Sequence, residues 1–261
     1  MFEIASLLLL GLVAGTLAGL LGVGGGVIIV PVLVWLFHDH PEIPTAHLMH
    51  MALATSLATI VFTAISSIRA HQQRQAILWS VVWQLTPGII VGTVLGASVA
   101  SFLSSDTLKT VFALFLLLIA GQLGFGAHPA SHRQLPQWLG TTFTGLIIGK
   151  ISALLGVGGG SLTVPFLVWC NVPMRHAVGT SAACGLPIAI AGTLGYIVMG
   201  WHNSPAWSTG YVYWPAVAAI VPTSLLFAPV GAKLAHSIPV TVLKRFFAVF
   251  LAIVSVKMLL S

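Results

Sequence analysis

The sequence predicts an all-α polytopic membrane protein made of two homologous, inverted repeats of four membrane segments each, the first segment of each repeat being broken at glycines. Three observations predict it. Of 261 residues only 5% are charged and 57% are hydrophobic, with a mean hydropathy of +1.05. A water-soluble surface needs roughly a quarter of its positions charged, so the solvent for this chain is lipid. The apolar residues fall into runs of about 20, the length of one crossing. The chain also repeats itself internally, which composition alone does not produce.

Polar clusters mark the ends of the runs: His38 to Thr45, Arg69 to Gln75, Ser101 to Asp106, Gly126 to Gln137, Asn171 to Arg175, Gly200 to Ser208 and His236 to Pro239. They leave eight membrane segments, which are continuously apolar rather than alternating, so helices and not barrel strands span the bilayer. The formal charge of +6 comes from Lys and Arg scattered singly between apolar runs. Such charges mark cytoplasmic loops and not a nucleic-acid surface. Cys170 and Cys184 make no disulfide framework. Met1-Phe2-Glu3 has no basic n-region, and the apolar stretch behind it exceeds a signal-peptide core, so the segment reads as retained in the membrane.

Gly11 to Trp35 aligns without gaps to Gly145 to Trp169, with 15 identities in 25 positions. Beyond it, Thr55-Ser56 answers Thr180-Ser181, Pro87 answers Pro222, Gly96-Ala97 answers Gly231-Ala232, and Leu108-Lys109 answers Leu243-Lys244. The units are an N-terminal repeat over 1–127, a polar linker over 128–137 and a C-terminal repeat over 138–261. Equivalent loops carry opposite charge biases. The loop after the first GVGGG segment holds Asp39 and Glu42, its counterpart holds Arg175, and the next loops are basic (Arg69, Arg74) and uncharged. Under the positive-inside rule equivalent loops then lie on opposite sides, which requires an odd number of crossings per repeat. The GVGGG segment, about 32 residues or roughly 48 Å of helix, is the one that fails to cross. It reads as a re-entrant hairpin with the glycines at its tip; the alternative is one long tilted helix, kinked at the glycines, in a parallel repeat.

The two breaks are the candidate substrate site. Gly24, Gly25 and Gly26, and Gly158, Gly159 and Gly160 with Ser161, precede half-helices whose free N–H groups and dipoles favour an anion. The competing reading is close helix packing by small residues. Lys150, inside an apolar stretch with Thr16 as its repeat mate, adds a cation, unless its side chain snorkels to the interface. Thr55, Ser56, Thr180 and Ser181 offer hydroxyls to an oxyanion or bond back to their own helices. Pro87 and Pro222, with Thr86, Thr223 and Ser224, read as hinges or packing features. The inferred spans hold no Asp or Glu, against a cation pathway.

His38, His40, His47 and His50, with Met49 and Met51, and more remotely His176, are the residues a transition-metal permease would use, but their loose spacing defines no metal site. No HExxH, GxSxG or Walker motif occurs, and no pair of buried aspartates, so the chain has no catalytic residues and is not an enzyme; it calls for no cofactor. Its partners are a small anion and the lipid bilayer. A homo-oligomer is compatible with the sequence, but nothing in it argues for one.

The doubled motif Gly15-x-x-x-Gly19-x-x-Gly22-x-Gly24-Gly25-Gly26-x-x-x-x-Pro31 and Gly149 to Pro165, each followed by a Thr-Ser pair, resembles the TauE/SafE sulfite exporter family of bacterial and archaeal permeases over essentially the full chain. Ala153 stands where the second motif's counterpart of Gly19 is expected. The resemblance implies a multi-pass cytoplasmic-membrane transporter that exports sulfite or small organosulfonates, without fixing this chain's substrate. The residues point to alternating access about a midplane anion site, and an interior-negative potential of 100 mV would favour exit of each negative charge by about 2.3 kcal/mol. The alternatives are the metal permease and a non-transporting accessory membrane subunit.

Overall fold

The structure, a computed structural model, describes residues 2–21, 25–38, 40, 43–125, 134–234 and 240–260. They are mostly helical: α1 (Phe2–Leu21), α2 (Gly26–His38), α3 (Leu48–Gln73, led by a 3-10 turn Thr45–His47), α4 (Trp79–Phe102), α5 (Ser105–Phe125), α6 (Trp138–Leu155), α7 (Gly160–Trp169), α8 (Met174–Met199), α9 (Trp214–Leu234) and α10 (Val240–Leu260). A two-residue-per-strand hairpin, β1 (Ser208–Thr209) and β2 (Val212–Tyr213), joins α8 to α9. Among the described residues five helical stretches are long and apolar enough to cross a membrane: Thr45–Gln73, Trp79–Phe102, Ser105–Gly124, Trp138–Leu155 and Met174–Met199.

The outside of the molecule is apolar, as a lipid solvent requires. Leu118, Leu139 and Ile253 are each more than 60% exposed, and exposed tryptophans stand at or near helix ends (Trp35, Trp83, Trp138), where amphipathic rings anchor at the bilayer interface. Each segment expected as one broken unit appears as two helices, α1 and α2 in the first case and α6 and α7 in the second. Among the described residues the eight expected segments therefore become ten α-helices. Most of the expected linker, 128–133, lies outside the described residues.

Helix packing recurs between equivalent positions. Gly145 and Gly149 of α6 lie against the backbone of Leu85 and Ile89 in α4, while Gly11 and Gly15 of α1 lie against Ile220 and Ser224 in α9. In the internal alignment Gly11 answers Gly145 and Gly15 answers Gly149. Glycine is needed at both contacts because any Cβ would meet the neighbouring backbone, the close approach by which helices associate in lipid. Thr142 Oγ1 donates to the Gln84 carbonyl (2.9 Å) across the first pair, and Ser224 Oγ to the Gly11 carbonyl (3.0 Å) across the second. Thr223 bonds back within α9, so Thr223 and Ser224 beside Pro222 serve packing in this arrangement.

The directions of the helices follow from the same contacts. α4 and α6 run parallel, with Gly88 against Leu146 and Gly96 against Ala153, and α8 runs with them, its Gly192 and Gly195 meeting Thr93 and Ala97 of α4. α3 and α8 run antiparallel: Gly192 meets Leu57, and Gly179 meets Ala76 just beyond the other end of α3. Where they cross, Val61 and Leu186, which the alignment pairs, pack on one cluster with Ile60, Ala64 and Ala189. α5 and α10 are also antiparallel, with Ser255 Oγ donating to Ala113 O and Ala248 beside Gly124. α7 leaves Gly159, which lies beside Ile188 in mid-α8, and returns to Pro173 at the start of α8. α6 and α7 therefore run in opposite directions.

At one end of the bundle the Arg175 guanidinium donates to the Arg74 carbonyl. At the other, Phe37 and His40 pack edge-on against Tyr213 of the hairpin, each with ring centroids 5.6 Å apart.

Candidate functional site

The second glycine break is built by two helix ends. α6 stops in a Schellman arrangement: Gly156 is left-handed (φ +61°), the Val157 N–H donates to the Ser152 carbonyl (3.1 Å) and the Gly156 N–H to the Ala153 carbonyl (3.3 Å). Gly159, also left-handed (φ +75°), is the residue before α7, and its carbonyl accepts from the N–H groups of Leu162 (3.1 Å) and Thr163 (2.7 Å). A side chain at Gly156 would be strained by its φ and would place Cβ 2.9 Å from Leu53 Cα. No side chain caps α7, so its first N–H groups and the positive end of its dipole open onto the break.

That opening lies at mid-depth. Gly158 packs against Ile60 and its carbonyl against Gly185, and these two residues sit near the middle of the 26-residue helices α3 and α8. The first break arrives at the same place. A Cβ on Gly26, the first residue of α2, would lie 2.6 Å from Gly156 O, 3.0 Å from Val157 Cα and 3.2 Å from Ile60 Cδ1. Gly25 is buried one residue before, beside Ile29 and Ala14; Gly24 lies outside the described residues.

Around the start of α7 sits a group of buried hydroxyls. Ser152 and Thr163 are fully buried and Ser161 is 6% exposed, and none of the three side-chain oxygens has a hydrogen-bond partner. A Cβ built on Gly159 would lie 3.4 Å from Thr163 Oγ1 and 3.8 Å from Ser152 Oγ, so both hydroxyls converge on this glycine. Thr93 of α4, likewise buried and unpartnered, has its Oγ1 2.8 Å from where a Cβ on Gly149 would be, one turn of α6 before Ser152. An unmade hydrogen bond on a buried polar group costs about 1–3 kcal/mol. Several such groups beside an uncapped helix N-terminus form a ready set of donors for an anion.

Ser152, Thr163 and Thr93 were not legible as site residues from motif alone. The signal lay in the comparison of the copies: Ser152, Ser161 and Thr163 are answered in the first repeat by Ala18, Val27 and Ile29. The frame is repeated, but the polarity is confined to the second break.

Other expected site residues have different positions. Lys150 is exposed, on a stripe of α6 with Phe143 and Ile147, two residues and so about 200° of helical rotation from Ser152. It does not join the buried group. Three hydroxyls of the Thr-Ser pairs are committed to backbone. Thr55 Oγ1 accepts the Tyr213 N–H (3.1 Å) and Thr180 Oγ1 the Leu78 N–H (3.0 Å), each just ahead of a following helix, while Ser56 Oγ donates to the Gly156 carbonyl (2.8 Å). Ser181 is buried and unpartnered. Ser56 thus holds the second break from the first repeat, and its removal strands a buried carbonyl. Ser56→Ala should lower stability by about 1–3 kcal/mol, whereas Ser181→Ala, its counterpart, should leave it unchanged or raise it; thermal unfolding in detergent compares them directly.

The described histidines form no metal cage. Among the described residues no group of three or more His, Cys, Asp or Glu side chains is placed to hold an ion.

Comparison with known proteins points to membrane transport. The chain is 37% identical to a probable membrane transporter protein of Haemophilus influenzae, over 97% of both chains. It is 30% identical to the probable membrane transporter protein YdhB of Bacillus subtilis over 91% of both, and 29% identical to one of Methanocaldococcus jannaschii over 97% of this chain and 94% of that one. No solved structure matches it. The model of the sulfite exporter TauE/SafE family matches residues 7–258, and the chain belongs to that family of membrane transporters, not enzymes.

Proposed function

We propose that the protein is a permease of the cytoplasmic membrane for a small sulfur-containing oxyanion, sulfite or a small organosulfonate, with its binding site at the start of α7. The observation that carries the reading is the convergence of the unpartnered hydroxyls of Ser152 and Thr163 on Gly159, beside Ser161 and an uncapped helix N-terminus at mid-depth. An oxyanion has three or more acceptor oxygens, which match hydroxyl and N–H donors. A metal cation would face the wrong end of a dipole.

The reading takes the two repeats as inverted. In its support, the paired helices α3 and α8 cross antiparallel at the paired residues Val61 and Leu186, and the Arg74 and Arg175 loops, which are not equivalent in the repeat, meet at one end. By the positive-inside rule that end faces the cytoplasm. α6 with α7, and α1 with α2, then form hairpins that enter from opposite sides and touch through Gly26 and Gly156. Rocking of one repeat against the other about this contact would expose the site alternately.

The test is flux through purified protein in liposomes. Sulfite should move under an imposed potential, in the direction set by its sign, and sulfate and nickel should not follow. Nickel flux without sulfite flux would transfer the function to the histidines.

A further inference from the structure

At the end of the bundle opposite Arg74 and Arg175, all three tyrosines of the chain gather with His40, His47 and His50. His47 closes the 3-10 turn and His50 lies in the first turn of α3; their rings are 5.9 Å apart. Tyr211 of the hairpin connection lies 5.4 Å from His47 and 5.1 Å from His50, and 6.5 Å from Tyr196 of α8. The Tyr196 hydroxyl donates to the Ala153 carbonyl (3.0 Å), which also takes part in the cap that ends α6 at the second break. A continuous line of rings therefore runs from the histidine pair to the glycine break.

The protonation chemistry of the pair is set by its contacts. His50 is 3% exposed, and its Nε2 faces the Ala100 carbonyl at 3.0 Å. A carbonyl only accepts, so Nε2 carries the hydrogen and Nδ1 is a bare acceptor. That Nδ1 is buried and has no partner, and the same holds for Nδ1 of His47. The titratable groups facing the pair are Tyr211 from the hairpin and Tyr196 behind it on α8, with Tyr213 and His40 beyond. α4 presents backbone carbonyls only, and Ser105 of α5 is engaged with the Met49 N–H. Asp106 and Lys109 of α5 line a groove with His38, Thr45, Leu48, Met49 and Lys257. Asp39 and Glu42, on the connection ahead of His47, lie outside the described residues.

We propose that the His47–His50 pair is a proton-binding site that couples release of the anion at this end to uptake of a proton. One proton from the outer solution adds to the Nδ1 lone pair of one ring; a second is opposed by like charge at this separation. An imidazolium cannot stay packed in a buried ring cluster without an acceptor for its new N–H. Tyr211 moves, Tyr196 follows, and the Ala153 carbonyl loses its bond, which frees the end of α6 and opens the break toward this side. Loss of the same proton to the inner solution restores the closed arrangement, so one proton enters for each anion that leaves. This rests on the break being the anion site.

The experiment uses the whole protein in liposomes with sulfite and, because its charge does not change near neutral pH, ethanesulfonate. At zero potential, with the outer face acidic, wild type should drive ethanesulfonate outward to a concentration ratio of about tenfold per pH unit. His47→Gln/His50→Gln, which cannot take up the proton, and Tyr196→Phe, which lacks the bond to Ala153, should each still bind labelled ethanesulfonate, which shows that they fold, and lose accumulation. Accumulation by the double variant equal to wild type overturns the proposal. If wild type moves neither anion, the anion reading fails, and nitrogen-15 histidine spectra decide the proton site separately. Titration of one imidazole of the pair between about pH 5 and 8, with the Tyr196 ring signals following, upholds it. No titration in that range, or titration that leaves Tyr196 unmoved, overturns it.

Discussion

Gly26→Ala should abolish the proposed anion flux in reconstituted liposomes while leaving a folded, membrane-inserted protein. The added methyl would stand 2.6 Å from Gly156 O and 3.0 Å from Val157 Cα, and both are backbone atoms of the other hairpin's tip. Neither moves without the tip moving. Ile60 Cδ1, at 3.2 Å, is a flexible end and gives way, so it does not set the outcome. Overpacking of this kind costs about 1–3 kcal/mol, too little to unfold a helical bundle of this size but enough to push the two hairpins apart. Because the α7 N-terminus, Thr163 and Ser152 converge over a few ångströms around Gly159, a displacement of about 1 Å spoils the donor geometry. Gly121→Ala is the control: a Cβ there meets nothing within 4 Å, and alanine favours the helix, so flux and stability should be unchanged or slightly better. Full flux in Gly26→Ala would mean that the two breaks do not act together.

The features that could be read from the sequence are those that leave a periodic or repeated trace. Twenty-residue apolar runs separated by polar clusters place the ends of α3, α4, α5 and α8, and two identical GVGGG stretches in otherwise helical runs announce two breaks, because lipid does not tolerate unsatisfied backbone elsewhere. Harder to see was what each hydroxyl does. Ser56 and Ser181 occupy equivalent positions, yet one is bonded to the Gly156 carbonyl and the other has no partner; Gly22, the counterpart of Gly156, lies outside the described residues. Thr55 and Thr180 behave alike, each receiving the N–H ahead of a following helix. That contact joins residues more than 100 positions apart and has no local signature. Lys150 lies apart from the buried hydroxyls for a simpler reason: Phe143, Ile147 and Lys150 share one exposed stripe of α6, and Ser152 faces the other way. A charge on the outer stripe can extend its amine toward the interface at less cost than at the bilayer centre.

On the proposed reading the repeat is a symmetric frame with an asymmetric site. Equivalent glycines pack α1 on α9 and α6 on α4, which gives both hairpins the same support. The hydroxyls appear only in the second, against Val27 and Ile29 in the first. One polar break facing one apolar break suits a single anion whose charged oxygens lie toward α7 and whose remaining surface lies toward α2. Two symmetric polar breaks would instead hold two anions that repel one another.

The asymmetry makes Ser161→Ala/Thr163→Val the sharpest separation of function from stability. Both side chains are buried without hydrogen-bond partners, so removing the hydroxyls relieves an unmade bond at each position, and Thr163→Val nearly preserves volume. The double variant should unfold at the same temperature as wild type or higher. Its affinity for sulfite should fall steeply. A hydrogen bond to a charged group contributes about 1.5–3 kcal/mol, so two lost donors weaken binding by about a hundredfold or more. The opposed directions carry the test, since a variant that merely damaged the fold would lose stability and transport together. Thr163→Ser, which keeps the donor and sheds a methyl, should restore most of the affinity in the Ser161 wild-type background. Wild-type affinity in the double variant, measured by concentration dependence of flux, would remove the start of α7 from the anion's path and leave the buried hydroxyls at Gly159 without a role.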